Sequence, residues 1–568
     1  AHVIRRLRRT AAHYGADPTF VLASATVAEP EVAGRRLTGL EVVAVTDDAA
    51  PRGRSAIALW EPPLLEGRGE HGAPVRRSAS SEAASILADL VAAGVRTLAF
   101  VRSRRGAESV ALAAQRALEE VEPGLASRVT TYRGGYLPEE RRAIEAAIRS
   151  GELLGLASTN ALELGIDIAG LDAVLTAGYP GTRAAMWQQF GRAGREGTDS
   201  CGVFIAREDP LDTYLVRNPE ALLGAPVEAT VFDPSNPYVL GPHLAAAAQE
   251  LPLTEADFEL FGPGSQDGVE ALTAAGWLRR RPRGWFWTRR DRAADLADIR
   301  SVGGSAVQIV LADTGRLLGT VDASSAHSVV HEGAVYVHRG EFYVVEEFDH
   351  DEGVAVVRPD DPDYSTTARD VTEIAISGET EACAWGRATV SFGDVEVTSQ
   401  VVSFLRRRTG SGEVLGEEPL DLPARTLHTK AVWWTLPGGV VEASGLDPAE
   451  VPGAAHAAEH ASIGLLPLFA TCDRWDIGGV STALHPDTGM LTVFVHDGHP
   501  GGAGFARRGF DQARPWLSTT RAAIEGCECA EGCPSCVQSP KCGNGNQPLS
   551  KHGAVRLLSV LLSSSGSR

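Results

Sequence analysis

Lysine is almost missing from this sequence of 568 residues: three occur, among 53 lysines and arginines together. The first, Lys430, stands in LHTKAVWW with no glycine before it. A phosphate-binding loop of the Walker type ends in Gly-Lys-Ser/Thr, with the lysine on the β- and γ-phosphates, so this sequence contains no such loop. Long apolar runs are also lacking; none reaches the ~20 residues of a membrane-spanning helix. The opening AHVIRRLRRTAAHYG has neither the apolar core nor the small-residue cleavage site of a secretory signal. It begins like the middle of an amphipathic helix, without methionine, and the chain is expected to be a fragment. Cysteine is scarce and uneven. Cys201, Cys383 and Cys472 are scattered, and the other five of the eight lie between Cys527 and Cys542. That pattern argues against a disulfide framework and suits a metal site in a reducing compartment. Positive charge is in deficit too. A net charge of −20 argues against a general polyanion binder and confines any nucleic-acid site to a local basic patch.

What is present implies several domains, since single cores stop growing near roughly 250–300 residues. Phe20–Thr26 (FVLASAT) reads as an apolar strand ending in small hydroxyl residues, and 51–81 as a polar linker rich in Gly and Pro, with at most a short strand in it. Between Ala83 and Ala206, short buried-strand runs (RTLAFV, RVTTYR, LLGLAST, LDAVLTAGYP, GVFIA) alternate with amphipathic helices. This alternation predicts a parallel sheet with helices on both faces. Ligands of such sheets sit at the carboxyl ends of the strands, where Ser103, Arg133, Thr159 and Asp167 fall. Helices followed by the hairpin RRRPRGWFWTRR (279–290) predict a winged helix. Runs such as AVYVHRGEFYVVEEF predict a small, barrel-like β-domain, and a mixed α+β region ends in the cysteine cluster. The expected boundaries are 1–60, 61–206, 207–300, 301–378 and 379–568.

In QQFGRAGREG (188–197), Arg192 and Arg195 stand about one helical turn apart beside small residues, an arrangement suited to gripping a phosphate. In order and spacing, SAT (24–26), AFVRSRRGAE (99–108), YRGGYLPEERRAIE (132–145), STNALELGIDI (158–168) and QQFGRAGREG resemble helicase motifs III, IV, IVa, V and VI of superfamily 2. HYGADPTFVLASATVAEP, YRGGYLPEERR and the terminal cysteines narrow the resemblance to the MrfA (YprA) type, over nearly the whole chain. The resemblance implies two RecA-like domains with ATP and Mg²⁺ between them. It puts the phosphate-binding loop on a missing N-terminal RecA-like domain in cis. It makes Arg195 the arginine finger and Arg192 the γ-phosphate contact, with Gly165, Asp167 and Gln188 lining the ATP cleft. Ser24 and Thr26 would couple the ATP and DNA sites, and Ser103, Arg104, Arg133 and Thr159 would touch the strand backbone. It further implies a monomeric DNA helicase translocating 3′-to-5′ on single-stranded or forked DNA, in DNA repair, in the bacterial cytoplasm and away from membranes. A second reading is a stand-alone nucleic-acid-binding module without ATPase activity.

On the wing, Arg281 and Arg283 are candidate phosphate contacts. Trp285 or Trp287 is a base-stacking wedge, or the two are the wing's core face. Four thiolates suit tetrahedral Zn²⁺, and CPSC is a two-ligand knuckle; an iron–sulfur cluster is the alternative. The resemblance points to Cys527, Cys529, Cys533 and Cys536 as ligands of a structural zinc, with Cys542 able to replace one of the first two. His456–His460 (HAAEH) matches the inverted zincin pattern H-x-x-E-H, which raises a zinc peptidase as a remote alternative, although the sequence indicates no third ligand. The glycine-rich HDGHPGGAGFA (496–506) suggests tight turns and no mechanistic role.

Overall fold

A computed structural model describes residues 1–47, 53–69, 72–132, 138–163, 170–194, 197–228, 230–297, 306–338, 341–409 and 413–564. Its largest α/β unit is a six-stranded sheet of β1 (Ser55–Trp60), β2 (Thr97–Val101), β3 (Val129–Tyr132), β4 (Gly155–Ser158), β5 (Ala173–Ala177) and β6 (Ser200–Ile205). The order is β1-β6-β5-β2-β4-β3, and every neighbouring pair is parallel. TLAFV and AVLTA form the wholly buried β2 and β5, as continuous apolar runs do in parallel sheets. Alternate side chains of β2 feed different cores. Ala99 and Val101 join α2 (Ala79–Ala92) and α3 (Arg104–Val121), while Leu98 and Phe100 join the opposite layer. That layer includes Ile148 of α4 (Pro138–Ser150) and Met186 and Phe190 of α5 (Arg183–Phe190). The expected two-faced sheet is therefore present.

One sequence expectation fails at its margin and another is sharpened. The short strand allowed within the 51–81 linker is β1, whose SAIALW pairs with β6 in six-residue register. Phe20–Thr26, expected as a strand, is irregular, and Val21 is 89% exposed. An extended run becomes a strand only where a neighbour takes its hydrogen bonds, and among the described residues none lies beside it. The local apolar pattern misled at Phe20–Thr26 because edge pairing decides the outcome.

After α6 (Pro210–Arg217) comes the winged helix, with α7 (Pro237–Glu250), α8 (Ser265–Ala274) and the antiparallel wing β7 (Leu278–Arg281) and β8 (Gly284–Trp287). The wing turn requires glycine. Gly284 has φ +122°, and a Cβ there would lie 2.0 Å from the Leu253 carbonyl oxygen, which accepts the Trp285 N–H at 2.8 Å. Helix α1 (His2–His13), expected within the first RecA-like tail, packs on this domain. Arg9 Nε meets Asp257 at 2.7 Å, and Arg9 also donates to the Ala247 carbonyl. His2 and His243 face each other across this contact, with ring centroids 5.4 Å apart. Burial pushes both imidazoles down to about 4. Against an unfolded value near ~6.5, a depressed histidine contributes stability above that pH, which is lost as pH falls through the folded value. Hydrogen-exchange protection of 2–13 is therefore expected to fall between about pH 6.5 and about pH 4, and His243→Gln to blunt the change. Equal protection at both ends would contradict the assignment.

The next sheet contains β9 (Val307–Leu311), β10 (Leu317–Val321), β11 (Val335–His338), β12 (Glu341–Asp349) and β13 (Val354–Pro359), ordered β10-β9-β13-β12-β11. It is the curled, barrel-like element that the sequence suggested. The boundary expected at 378 cuts through β14 (Tyr364–Trp385), which pairs along its length with β15 (Ala388–Arg408). The final sheet continues through β16 (Val414–Pro419), β17 (Arg425–Leu436), β18 (Ile477–Thr482) and β19 (Leu491–Asp497), ordered β14-β15-β17-β19-β18 with β16 on β15. It packs with α9 (Val451–Leu465), α10 (Phe505–Asp511), α11 (Ala513–Glu525) and α12 (Lys551–Ser564). The core is continuous with that of the RecA-like sheet through Leu211 and Leu215 of α6.

Candidate functional site

Strands β2, β4 and β5 end around a cavity of about 250 Å³ lined by Arg102, Asn160, Glu163, Thr176 and Gln189, among others. Helix α5 forms one wall. It starts where the Thr182 hydroxyl accepts the Ala185 N–H at 3.0 Å and ends at Gly191. Its buried residues Arg183, Met186, Gln189 and Phe190 follow helical spacing, so adjacent glutamines serve different partners. Gln189 accepts from the Thr176 hydroxyl at 3.1 Å and donates to the Glu163 carboxylate at 2.8 Å. Gln188 Nε2 donates to Thr26 Oγ1 at 3.0 Å. The side chains assigned to the first RecA-like tail and to the QQFGRAGREG segment therefore meet directly. Arg192, largely buried, donates to the Glu163 carbonyl. Burial holds its pKa below the usual guanidinium value and raises that of Glu163.

The other cleft candidates divide. Ser24 is exposed, and its hydroxyl accepts the Thr26 N–H at 3.3 Å. Ser103 caps α3, accepting the Gly106 N–H at 3.0 Å. Thr159 is buried at the end of β4. Gly165, Asp167, Arg133 and Arg195 lie outside the described residues, as does the side chain of Arg104. Gln189 was missed by sequence reasoning. Its three-residue spacing from Met186 was the available sign that it shares the buried face.

On the wing, Arg279, Arg281 and Arg283 are exposed and take part in no ion pair among the described residues. Arg280 pairs with Glu255 at 3.0 Å and lies 4.9 Å from the Trp285 ring centroid. Trp285 itself packs with Phe258, Leu244 and Leu253 in the wing's core. This corrects the wedge reading, since a buried ring cannot stack on a base.

In the terminal region, the sulfurs of Cys527, Cys529, Cys533 and Cys536 all lie within 4.8 Å of one another, with the 527–529, 527–533, 529–536 and 533–536 pairs at 3.5 to 3.8 Å. A tetrahedral zinc with Zn–S near ~2.3 Å requires about 3.8 Å between sulfurs, so the four fit one ion. Four such thiols cannot ionise independently. Cys527 is driven down by hydrogen bonds from the others, and Cys536 is driven up. Lys551, at the start of α12, ties the loop by donating to the carbonyls of Cys527 and Cys529 at 2.6 and 2.5 Å. Arg217 of α6 donates to the Gly526 carbonyl at 2.9 Å and to Glu61 at 2.8 Å, which joins the cysteine loop to the RecA-like unit. Cys542, expected as an alternate ligand able to replace Cys527 or Cys529, lies instead with His456 and His460. The HDGHPGG segment, left without a role by the sequence, is organised by Asp497. This buried carboxylate accepts the N–H groups of Ala503, Gly504 and Ala506 at 2.6 to 2.9 Å and so caps α10.

A parallel sheet with Arg192 just past the end of α5 beside its cleft, joined to a winged helix and a four-cysteine lobe, defines the class as a RecA-like helicase. Family profiles match the helicase conserved C-terminal domain at 82–197, the winged helix domain of the ATP-dependent helicase HRQ1 at 232–302, and the MrfA Zn-binding domain at 458–537. The ATP-dependent helicase YprA of Bacillus subtilis is 35% identical over 543 residues, covering 94% of this chain and 71% of that protein. The ATP-dependent helicase hrq1 of Schizosaccharomyces pombe is 29% identical, covering 99% of this chain and 54% of its own length. The crystal structure of MrfA, a DUF1998 helicase, bound to DNA superposes with TM-score 0.65 at 33% identity, over 98% of this chain and 73% of that one. A second MrfA structure, with DNA and AMPPNP, gives TM-score 0.64. The chain belongs to the MrfA/YprA family of helicases. The sulfur geometry and the MrfA Zn-binding profile together assign a structural zinc to the four-cysteine cluster.

Proposed function

We propose that this chain is the C-terminal part of an ATP-dependent DNA helicase of superfamily 2. It supplies the arginine half of an ATP–Mg²⁺ site whose phosphate-binding loop sits on an N-terminal RecA-like domain in cis. The observation that carries the proposal is the 3.0 Å bond between Gln188 and Thr26, beside the cleft that Arg192 borders through Glu163. Phosphoryl transfer is mostly positioning and charge stabilisation. Arg192 and Arg195 reach the γ-phosphate, Arg195 as the finger, with Gly165 and Asp167 beside the nucleotide. The Gln188–Thr26 contact then reports nucleotide state to the segment that follows Ser24. Ser103, Arg104, Arg133 and Thr159 face the strand backbone, and the wing arginines hold the duplex or its fork. The protein works as a monomer, 3′-to-5′, in DNA repair in the bacterial cytoplasm; these features follow from the family resemblance.

By itself, the 568-residue chain acts as a nucleic-acid-binding module without ATPase activity. Three to four phosphate contacts on single-stranded DNA give a log–log salt slope of roughly −2 to −3. Arg281→Glu with Arg283→Glu is expected to flatten that slope in a fluorescence-anisotropy titration. An unchanged slope would move the DNA off the wing. The peptidase reading of HAAEH is disfavoured by the position of its would-be base. Glu459 is buried, and its carboxylate accepts from the Ser481 hydroxyl at 2.6 Å.

A further inference from the structure

We propose that His456, His460 and Cys542 form a second metal site, distinct from the four-cysteine site, that takes a divalent transition ion of the zinc class through two imidazoles and one thiolate. The potential ligand atoms of the three residues all lie within 4.8 Å of one another. His456 and His460 are one turn apart on α9, with ring centroids 4.2 Å apart. Cys542 arrives from a loop 86 positions away in sequence, its Sγ 3.5 Å from His456 Nε2. A tetrahedral ion with Zn–N near ~2.0 Å and Zn–S near ~2.3 Å places N and S about 3.5 Å apart.

The hydrogen bonding around the ligands fixes their chemistry. His456 Nδ1 lies 2.9 Å from the Pro548 carbonyl, and His460 Nδ1 lies 2.9 Å from the Val537 carbonyl. A carbonyl can only accept, so each Nδ1 carries the proton. In the neutral ring, each Nε2 is then a bare lone pair. This is the second-shell arrangement that orients ligating histidines. Two lone pairs and a sulfur converge, and the thiol has one proton to share among them. One imidazole is left facing a second acceptor unless a cation enters. The Asn546 N–H also donates to the sulfur, at 3.2 Å, and fixes its position beside the two rings. Asn546 holds the loop with φ +62°, while its side chain accepts the Ser539 N–H at 2.7 Å.

The site is built for binding rather than hydrolysis. Glu459 points to β18, where the absence of a side chain at Gly479 admits it; a Cβ there would lie 2.9 Å from Glu459 Cγ. Three protein ligands leave a fourth tetrahedral position for water or an added donor. The two sites share a structural link, since Val537, whose carbonyl orients His460, directly follows Cys536. Filling the four-cysteine site therefore orders one anchor of the second, and the second ion clamps the 539–548 loop to α9.

The test uses the whole 568-residue chain, saturated with Zn²⁺, desalted and analysed for metal. About two zinc ions per chain are expected, with loss of one in Cys542→Ser and in His456→Ala. One zinc per chain in the parent, or two in both variants, would overturn the proposal. Should either variant fail to fold, zinc K-edge absorption of the parent decides alone. Imidazole scattering beside sulfur supports the second site, and a pure sulfur shell refutes it.

Discussion

Arg192→Ala, made in a polypeptide that also carries the phosphate-binding loop, is expected to lower DNA-stimulated ATP turnover by about 10²–10³-fold, the usual cost of removing one transition-state charge donor. Arg195→Ala should cost more, ~10³–10⁵, if it is the finger. Arg192 is buried and bonded to the Glu163 carbonyl, so a structural role must be separated from a chemical one. DNA affinity measured on the same preparations makes that separation. Turnover that collapses with DNA binding intact supports the γ-phosphate contact. A parallel loss of both would make Arg192 a strut for the loop that carries Glu163.

Cys536→Ser is expected to release about one equivalent of zinc and to lower both solubility and melting temperature. Cys533 and Cys536 are buried, and the 527–537 segment contributes little apolar side chain besides Val537. The metal therefore replaces a core, and metal binding becomes folding free energy, with apparent values of ~10–16 kcal/mol in small zinc peptides. The damage should spread, because Lys551 ties the loop to α12 and Arg217 ties it to the RecA-like unit. Elemental analysis with a thermal melt checks both parts. Retention of the zinc with an unchanged melt would remove Cys536 from the ligand set.

Much of this architecture was legible in the sequence because it rests on local pattern. Continuous apolar strands such as TLAFV fix a parallel sheet buried on both faces. The Cys-x-Cys and Cys-x-x-Cys spacings bring four sulfurs to one point through a short loop. What stayed hidden depends on partners far along the chain. SAIALW is a strand because β6 lies beside it, although its flanks are rich in proline and glycine. FVLASAT has the better strand composition and, among the described residues, no strand beside it. Trp285 suited either a base or the wing's core in the sequence, and the packing of Phe258 against it decides the question. HAAEH suggested a protease helix with no third ligand. Cys542 supplies one from 82 positions beyond His460, while Glu459 turns to Ser481 and removes the base.

The central claim is that this chain holds one half of an ATP site and the DNA-binding surfaces, without the half that grips the phosphates. Phosphate release by the purified 568-residue chain, with ATP, Mg²⁺ and single-stranded DNA, tests it most directly. The account predicts no turnover above background while DNA is bound with a clear salt dependence. DNA-stimulated hydrolysis by this chain alone would contradict it.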